Sequence, residues 1–285
     1  MQACRPARPA RRRAASGLAP ARLRPAATRT AAALAAMLAL AACGGNAPQP
    51  NISLAERVAP AGDPGSLPIE PVQWERSKPG CRADCPVLKV DSVAFPQEPR
   101  LTALVDHALA TMTGLDADSP RPYADLAEFE SYYWQTAQAG YQVVLEAAVL
   151  RQADDLAVLQ LDSYQYTGGA HGIPATQYLN WQRSRTRVLS LADVLVPGQR
   201  PAFVSALRQA HASWLRGNPD AQRDPAGYDK LWPFQESENY ALMDDGVRVK
   251  YDAYSIAPYS HGQPELTIPY DALRGVLRPE FLPPT

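Results

Sequence analysis

Tyr141-Gln142-Val143-Val144-Leu145-Glu146-Ala147-Ala148-Val149-Leu150 and Leu156-Ala157-Val158-Leu159-Gln160-Leu161-Asp162-Ser163-Tyr164-Gln165-Tyr166 are two long apolar runs joined through Gln152-Ala153-Asp154-Asp155. Runs of this length around a polar turn predict a β-hairpin, and apolar residues on both faces place it centrally in a sheet. Upstream, two strand-like runs between Val72 and Phe95 flank Cys81 and Cys85. Leu101, Leu104, Val105, Ala108, Leu109 and Met112 then recur at helical spacing up to Gly114, and Tyr123 to Ala139 sets Leu126, Phe129 and Tyr133 along one side of a second helix.

Downstream of a glycine-rich break come Thr176 to Trp181, the segment Leu189 to Leu195, and a helix with Phe203, Ala206, Leu207, Ala210 and Trp214 facing inward. Asp244-Asp245-Gly246 turns into Val247, Val249, Tyr251 and Ala253, which alternate with Arg248, Lys250 and Asp252 as a half-buried strand. Leu266 and Ile268 predict a further short strand before a helical turn over Leu273 to Leu277. Helices and strands mix without regular alternation, so the expected class is α+β, with antiparallel sheets, helices packed on them and two subregions.

The chain has 285 residues, 46% of them hydrophobic and 20% charged, enough apolar material for a sizeable core. The net charge of -1 hides an asymmetry. Eight of the 28 basic residues and no acidic ones fall in residues 1–42, leaving 20 basic against 29 acidic, or about -9, in the remainder. An acidic body argues against a nucleic-acid partner, and no apolar run is long enough to span a bilayer.

The basic stretch precedes an apolar segment, Thr30 to Ala42, of signal-peptide length, which ends Leu40-Ala41-Ala42-Cys43-Gly44 and resembles a bacterial lipobox. The expected organisation is a lipoprotein signal peptide over 1–42, lipidation of Cys43, a flexible tether over 43–68, an N-terminal α+β subdomain over 69–165 and a C-terminal one over 166–285. By the same similarity, Gly44 points to an outer-membrane lipoprotein whose body lies in the periplasm and whose only membrane attachment is the lipid. Cys81-Arg82-Ala83-Asp84-Cys85 reads as a disulfide in such an exported chain: a thioredoxin-type pair has two intervening residues, and a zinc half-site would need a second pair.

Two loops stand out as candidates to meet a ligand. Tyr166-Thr167-Gly168-Gly169-Ala170-His171-Gly172 lets the backbone approach another group closely and leaves His171 among small neighbours; Pro258-Tyr259-Ser260-His261-Gly262 presents Tyr259 between rigid and flexible residues. Neither the nucleophile elbow Gly-x-Ser-x-Gly nor His-Glu-x-x-His occurs, and the glycine-rich loop lacks the lysine and helix of a phosphate loop. Of the other histidines, His107 and His211 sit in helix patterns. No cofactor, metal site or catalytic residue is expected.

Tyr166-x-Gly168-Gly169-Ala170-His171, then Leu191-x-Asp193-Val194-Leu195, then Tyr254-x-Ile256-Ala257-Pro258-Tyr259-x-x-Gly262 and Ile268-Pro269-Tyr270-x-x-Leu273 resemble the exported domain of the RsiV-like family. That family takes in the lysozyme-binding anti-sigma factor RsiV, the non-catalytic part of the deacetylase PdaC and many lipoproteins. The resemblance spans about residues 70 to 280 and implies an exported α+β unit. The resemblance implies no single activity; the tether, the acidic body and the missing catalytic motifs lead to the expectation of a lipid-anchored cell-envelope binding protein that recognises lysozyme or a cell-wall component through the two loops. The competing expectations are an envelope glycan hydrolase using His171, with His261 and a carboxylate in the same cleft, and a structural lipoprotein without a small ligand.

Overall fold

A computed structural model describes residues 66–113, 123–153 and 155–283; the leader, Cys43 and nearly all of the tether lie outside the described residues. β1 (Glu70–Ser77) and β2 (Val87–Ala94) pair antiparallel, and Cys81 and Cys85 in their connection form a disulfide with Cα atoms 5.6 Å apart. Replacing both cysteines by serine is expected to lower the unfolding free energy in urea by about 2 kcal/mol, because closing so short a loop removes little entropy from the unfolded chain.

From β2 the chain crosses one face of the sheet in α1 (Pro99–Thr111) and α2 (Leu126–Thr136) before entering β3 (Gln142–Ala153). Asp125 caps α2 by accepting from the Glu128 N–H at 2.8 Å, while the Glu128 carboxylate accepts from the Ala124 N–H at 2.7 Å. This crossover returns the chain to the end from which β2 started, so β3 runs parallel to β2. The large sheet is therefore mixed, with one parallel pairing where the sequence reading expects antiparallel sheets; the α+β class holds. β4 (Leu156–Tyr166) closes the expected hairpin with β3, and β5 (Ile173–Gln182) and β6 (Arg187–Val188) complete an order β1 to β6 that follows the chain without a break at residue 165.

Alternation decides which face the helices cover. Leu88, Val90, Val143, Leu145, Leu159, Leu161, Leu179 and Trp181 point to one side and pack with Leu101, Val105, Leu109, Phe129 and Tyr133. The opposite face carries Glu146, Asp162, Thr176, Tyr178 and Asn180, and its β4–β5 half receives the rest of the molecule.

That remainder begins with α3 (Leu191–Val194), started by a capping box in which Ser190 and Asp193 satisfy each other's backbone N–H. Hydrogen bonds from Ser190 and Arg187 hold the Asp193 carboxyl down at about 2. α4 (Arg200–Arg216) lays Phe203 and Leu207 against a three-stranded antiparallel sheet of β7 (Tyr240–Leu242), β8 (Val247–Lys250) and β9 (Glu265–Ile268). Two short helices, α5 (Pro219–Arg223) and α6 (Pro225–Leu231), intervene. Each starts at an Asn or Asp cap followed by Pro, Asn218-Pro219 and Asp224-Pro225, a start signal the sequence reading passes over.

β8 stops at Lys250 rather than running on to Ala253: the Tyr251 N–H still donates to the Pro264 carbonyl, but Pro264 has no N–H to return the bond, and the chain then turns through Tyr254 at φ +69°. The turn expected over Leu273 to Leu277 is a 3-10 turn at Tyr270–Leu273.

The two sheets are joined by side chains that stand in for a missing strand. Asn180, buried on β5, donates to the Tyr240 carbonyl at 2.7 Å and accepts from the Leu242 N–H at 2.9 Å. Asn239 accepts from the Tyr178 N–H at 2.7 Å and donates to the Thr176 carbonyl at 2.9 Å, and Asp252 accepts from the Thr176 N–H at 3.0 Å. Main-chain groups at the facing edges of β5 and β7 are thereby satisfied without a continuous ladder.

Candidate functional site

β4 ends at Tyr166, whose hydroxyl donates to the Gly169 carbonyl at 3.0 Å and ties the loop back on itself. Gly168 and Gly169 take φ of +98° and +92°, which the loop requires and which other residues resist. The chain then reaches Gly172, which is buried and carries the hydrogen bonds that build the site.

The Gly172 N–H donates to the Tyr164 hydroxyl at 3.1 Å, and its carbonyl accepts from the Tyr259 hydroxyl at 3.0 Å and from His171 Nδ1 at 3.0 Å. A carbonyl only accepts, so Nδ1 carries the proton and Nε2 is left as an acceptor. It receives the Tyr254 hydroxyl at 3.2 Å. The His171 ring stacks on Tyr259 with centroids 3.7 Å apart and planes 17° apart, and Tyr254 lies 5.6 Å from Tyr259 and 6.3 Å from Trp232. Burial and the neighbouring Tyr164 and Tyr254 push the Tyr259 hydroxyl above its usual range, so it stays a donor.

The two loops named from sequence are thus brought together, with Tyr259 packed on His171 and Pro258 opening the 3-10 turn that carries Tyr259. His261 is not part of this group. It meets Asn218 Oδ1 at 3.3 Å and Asp220 Oδ2 at 3.6 Å, and its ring lies 6.3 Å from Trp214. Among the described residues the two imidazoles share no partner, and the polar partners of His171 there are a carbonyl and a tyrosine hydroxyl, with no carboxylate to orient it as a base. Among the described residues no three His, Cys, Asp or Glu side chains converge as a metal site.

Tyr254, Trp232 and Tyr164 belong to the cluster although the sequence reading does not choose them as site residues. Tyr254 appears there only as one position of a matching pattern and Tyr164 only at the end of the strand that leads into the glycine-rich loop, whereas Trp232 carries no local signal because tertiary packing alone brings it in. The cluster is open to solvent, since Tyr254 is 52% exposed; Leu231 and Ile173, next in the chain to Trp232 and Gly172, are 72% and 67% exposed. His211, by contrast, is buried beside Trp214 and Phe234, and desolvation lowers its pKa so that it packs as a neutral ring.

The fold and this cluster define an α+β domain that displays an aromatic surface built from two loops. The chain belongs to the DUF3298 family, whose description is "Protein of unknown function" and whose sequence pattern matches residues 192–271. A DUF3298 family protein of known crystal structure from Pseudomonas aeruginosa PAO1 is 41% identical, with a TM-score of 0.71 over 77% of this chain and 98% of that one. A member from Bacteroides fragilis NCTC 9343, 21% identical with a TM-score of 0.59 over 75% and 94% of the two chains, shares the fold. The peptidoglycan-N-acetylmuramic acid deacetylase PdaC of Bacillus subtilis is 23% identical over 136 residues, 47% of this chain but only 29% of that enzyme.

Proposed function

We propose that this protein is a lipid-anchored binding protein of the cell envelope that takes a protein partner on the Tyr254 cluster, lysozyme being the first candidate. The observation that carries the reading is the exposed apolar surface itself. Tyr254 is 52% exposed and stands on a supporting layer of His171, Tyr259 and Trp232, an aromatic composition typical of an interface centre rather than of ordinary surface. A cationic partner suits the acidic balance of residues 43–285, and its attraction weakens with salt. The full chain is expected to bind hen lysozyme at low ionic strength, with Tyr254→Ala weakening binding about 30-fold, as for a central aromatic anchor. Absence of binding at low salt would remove lysozyme as the partner.

A second reading, recognition of a cell-wall glycan, draws on the similarity to an enzyme named for peptidoglycan. Retention of the chain on purified peptidoglycan, lost in Tyr254→Ala, supports it. A chain that binds neither probe leaves the structural-lipoprotein alternative.

Anchoring rests on Cys43, whose thiol is the group a lipid-transferring enzyme acylates. Cys43→Ser is expected to move the protein from the detergent to the aqueous phase without changing its thermal unfolding. Wild-type protein with an unmodified residue 43 in the aqueous phase would contradict the lipoprotein reading and the outer-membrane placement with it.

A further inference from the structure

A separate concavity of about 370 Å³ opens between the tip of the β3–β4 hairpin, the end of β7 and the C-terminal segment Glu280 to Pro283. It shares no residue with the Tyr254 cluster, so what it binds does not depend on the function proposed above. Its volume lies in the range of small-ligand pockets, and Leu156, Leu242, Phe281 and Leu282 give it apolar walls.

The polar groups on its rim are unevenly used. Arg151 donates only Nε, to Asp244 at 2.5 Å, so both Nη groups lack a hydrogen-bond partner among the described residues. The Asp244 side chain is 85% exposed, which makes this pair a surface contact rather than a sealed bridge. Asp155 is fully engaged: it accepts from the Ser184 N–H and hydroxyl and from Gln182 Nε2. Burial works against its ionisation, but those bonds outweigh it and hold the carboxyl below its usual range, so it is a fixed anion. The Glu280 side chain lines the cavity and has no ion-pair or hydrogen-bond partner among the described residues.

One guanidinium with two idle Nη groups therefore faces the same cavity as three carboxylates. A simple anion would meet a net negative rim, and a simple cation would leave the planar Nη pair, which matches a carboxylate, unused. We propose that the cavity binds a small zwitterion of the amino-acid or dipeptide class, with its carboxylate on the Arg151 Nη groups, its ammonium toward Glu280 and one apolar side chain against Leu242 and Phe281.

The probes are glycyl-leucine, which carries both charges, N-acetyl-leucine, which keeps only the carboxylate, and leucinamide, which keeps only the ammonium. Titrated into the full chain and followed by NMR, glycyl-leucine is expected to saturate with a Kd on the order of 1 mM and each single-charge analogue to bind at least about tenfold more weakly. Arg151→Met should remove the advantage over leucinamide, and Glu280→Gln the advantage over N-acetyl-leucine. Thermal unfolding of both variants should match wild type, since Asp244 is left in water and not buried. No saturation by any probe up to about 50 mM, equal binding of all three, or glycyl-leucine binding that either variant leaves intact would overturn the assignment.

Discussion

Asn180→Leu is expected to lower the unfolding free energy by about 4 kcal/mol, because it orphans two buried main-chain groups at once. Asn180 is 1% exposed, and its carboxamide is the hydrogen-bond partner of both the Tyr240 carbonyl and the Leu242 N–H. Those two groups point away from β8, whose ladder uses the alternate positions of β7. Leucine keeps the branching and heavy-atom count without a donor or acceptor but is bulkier, so the loss contains an overpacking part beside the hydrogen bonds. Urea unfolding monitored by circular dichroism measures it. A cost below about 1 kcal/mol would mean that water or a shift of β7 satisfies both groups, and that the sheets are held together by apolar contact alone. Asn180→Asp should cost at least as much as Leu at neutral pH, since the carboxylate accepts from Leu242 but is buried without a cation and faces the Tyr240 carbonyl, to which it cannot donate.

Gly172→Ala is the second large effect and falls on the candidate site. A Cβ at this position would run into the Tyr164 ring and come within 2.7 Å of the Gln165 carbonyl, both fixed by β4. Either the ring or the loop must move, and the contacts of Gly172 with Tyr164, Tyr259 and His171 are disturbed together. The variant should lose about 2 kcal/mol of stability, as overpacking commonly costs. Its partner affinity should fall about 100-fold or more, because Tyr254 loses the His171 and Tyr259 layer beneath it. Hydrogen exchange over residues 166–173 and 254–262 reads the structural half of this expectation independently of any ligand. Unchanged protection in both loops would contradict the role given to Gly172. The glycine is needed here for close approach of the chain to its own tyrosine, a different use from the backbone freedom that Gly168 and Gly169 supply.

The α+β class, the β3–β4 hairpin, the strand pair around Cys81 and Cys85, helices α1, α2 and α4 and the disulfide are legible in the sequence. Each is specified by local information: period-2 or period-3.6 apolar patterning, turn residues, and a cysteine spacing that a short loop can close. The caps at Asp125 and Ser190, each answered by the residue three positions on, are local signals of the same kind that the sequence reading passes over.

What local pattern does not hold is the relation between elements. Whether β3 joins β2 parallel or antiparallel depends on the path of the crossover between them, and the strand pattern of Val143 to Ala147 is the same for both. The site divides in the same way. His171 and Tyr259 stand out as unusual residues in unusual loops, so the sequence by itself marked them, yet their stacking, the displacement of His261 toward Asp220, and the entry of Trp232 and Tyr164 were decided only by the tertiary structure. The physical reason is that Gly172 accepts from Tyr259, 87 residues away, at a point fixed by how the two sheets meet through Asn180, Asn239 and Asp252. No periodicity within either loop encodes that distance.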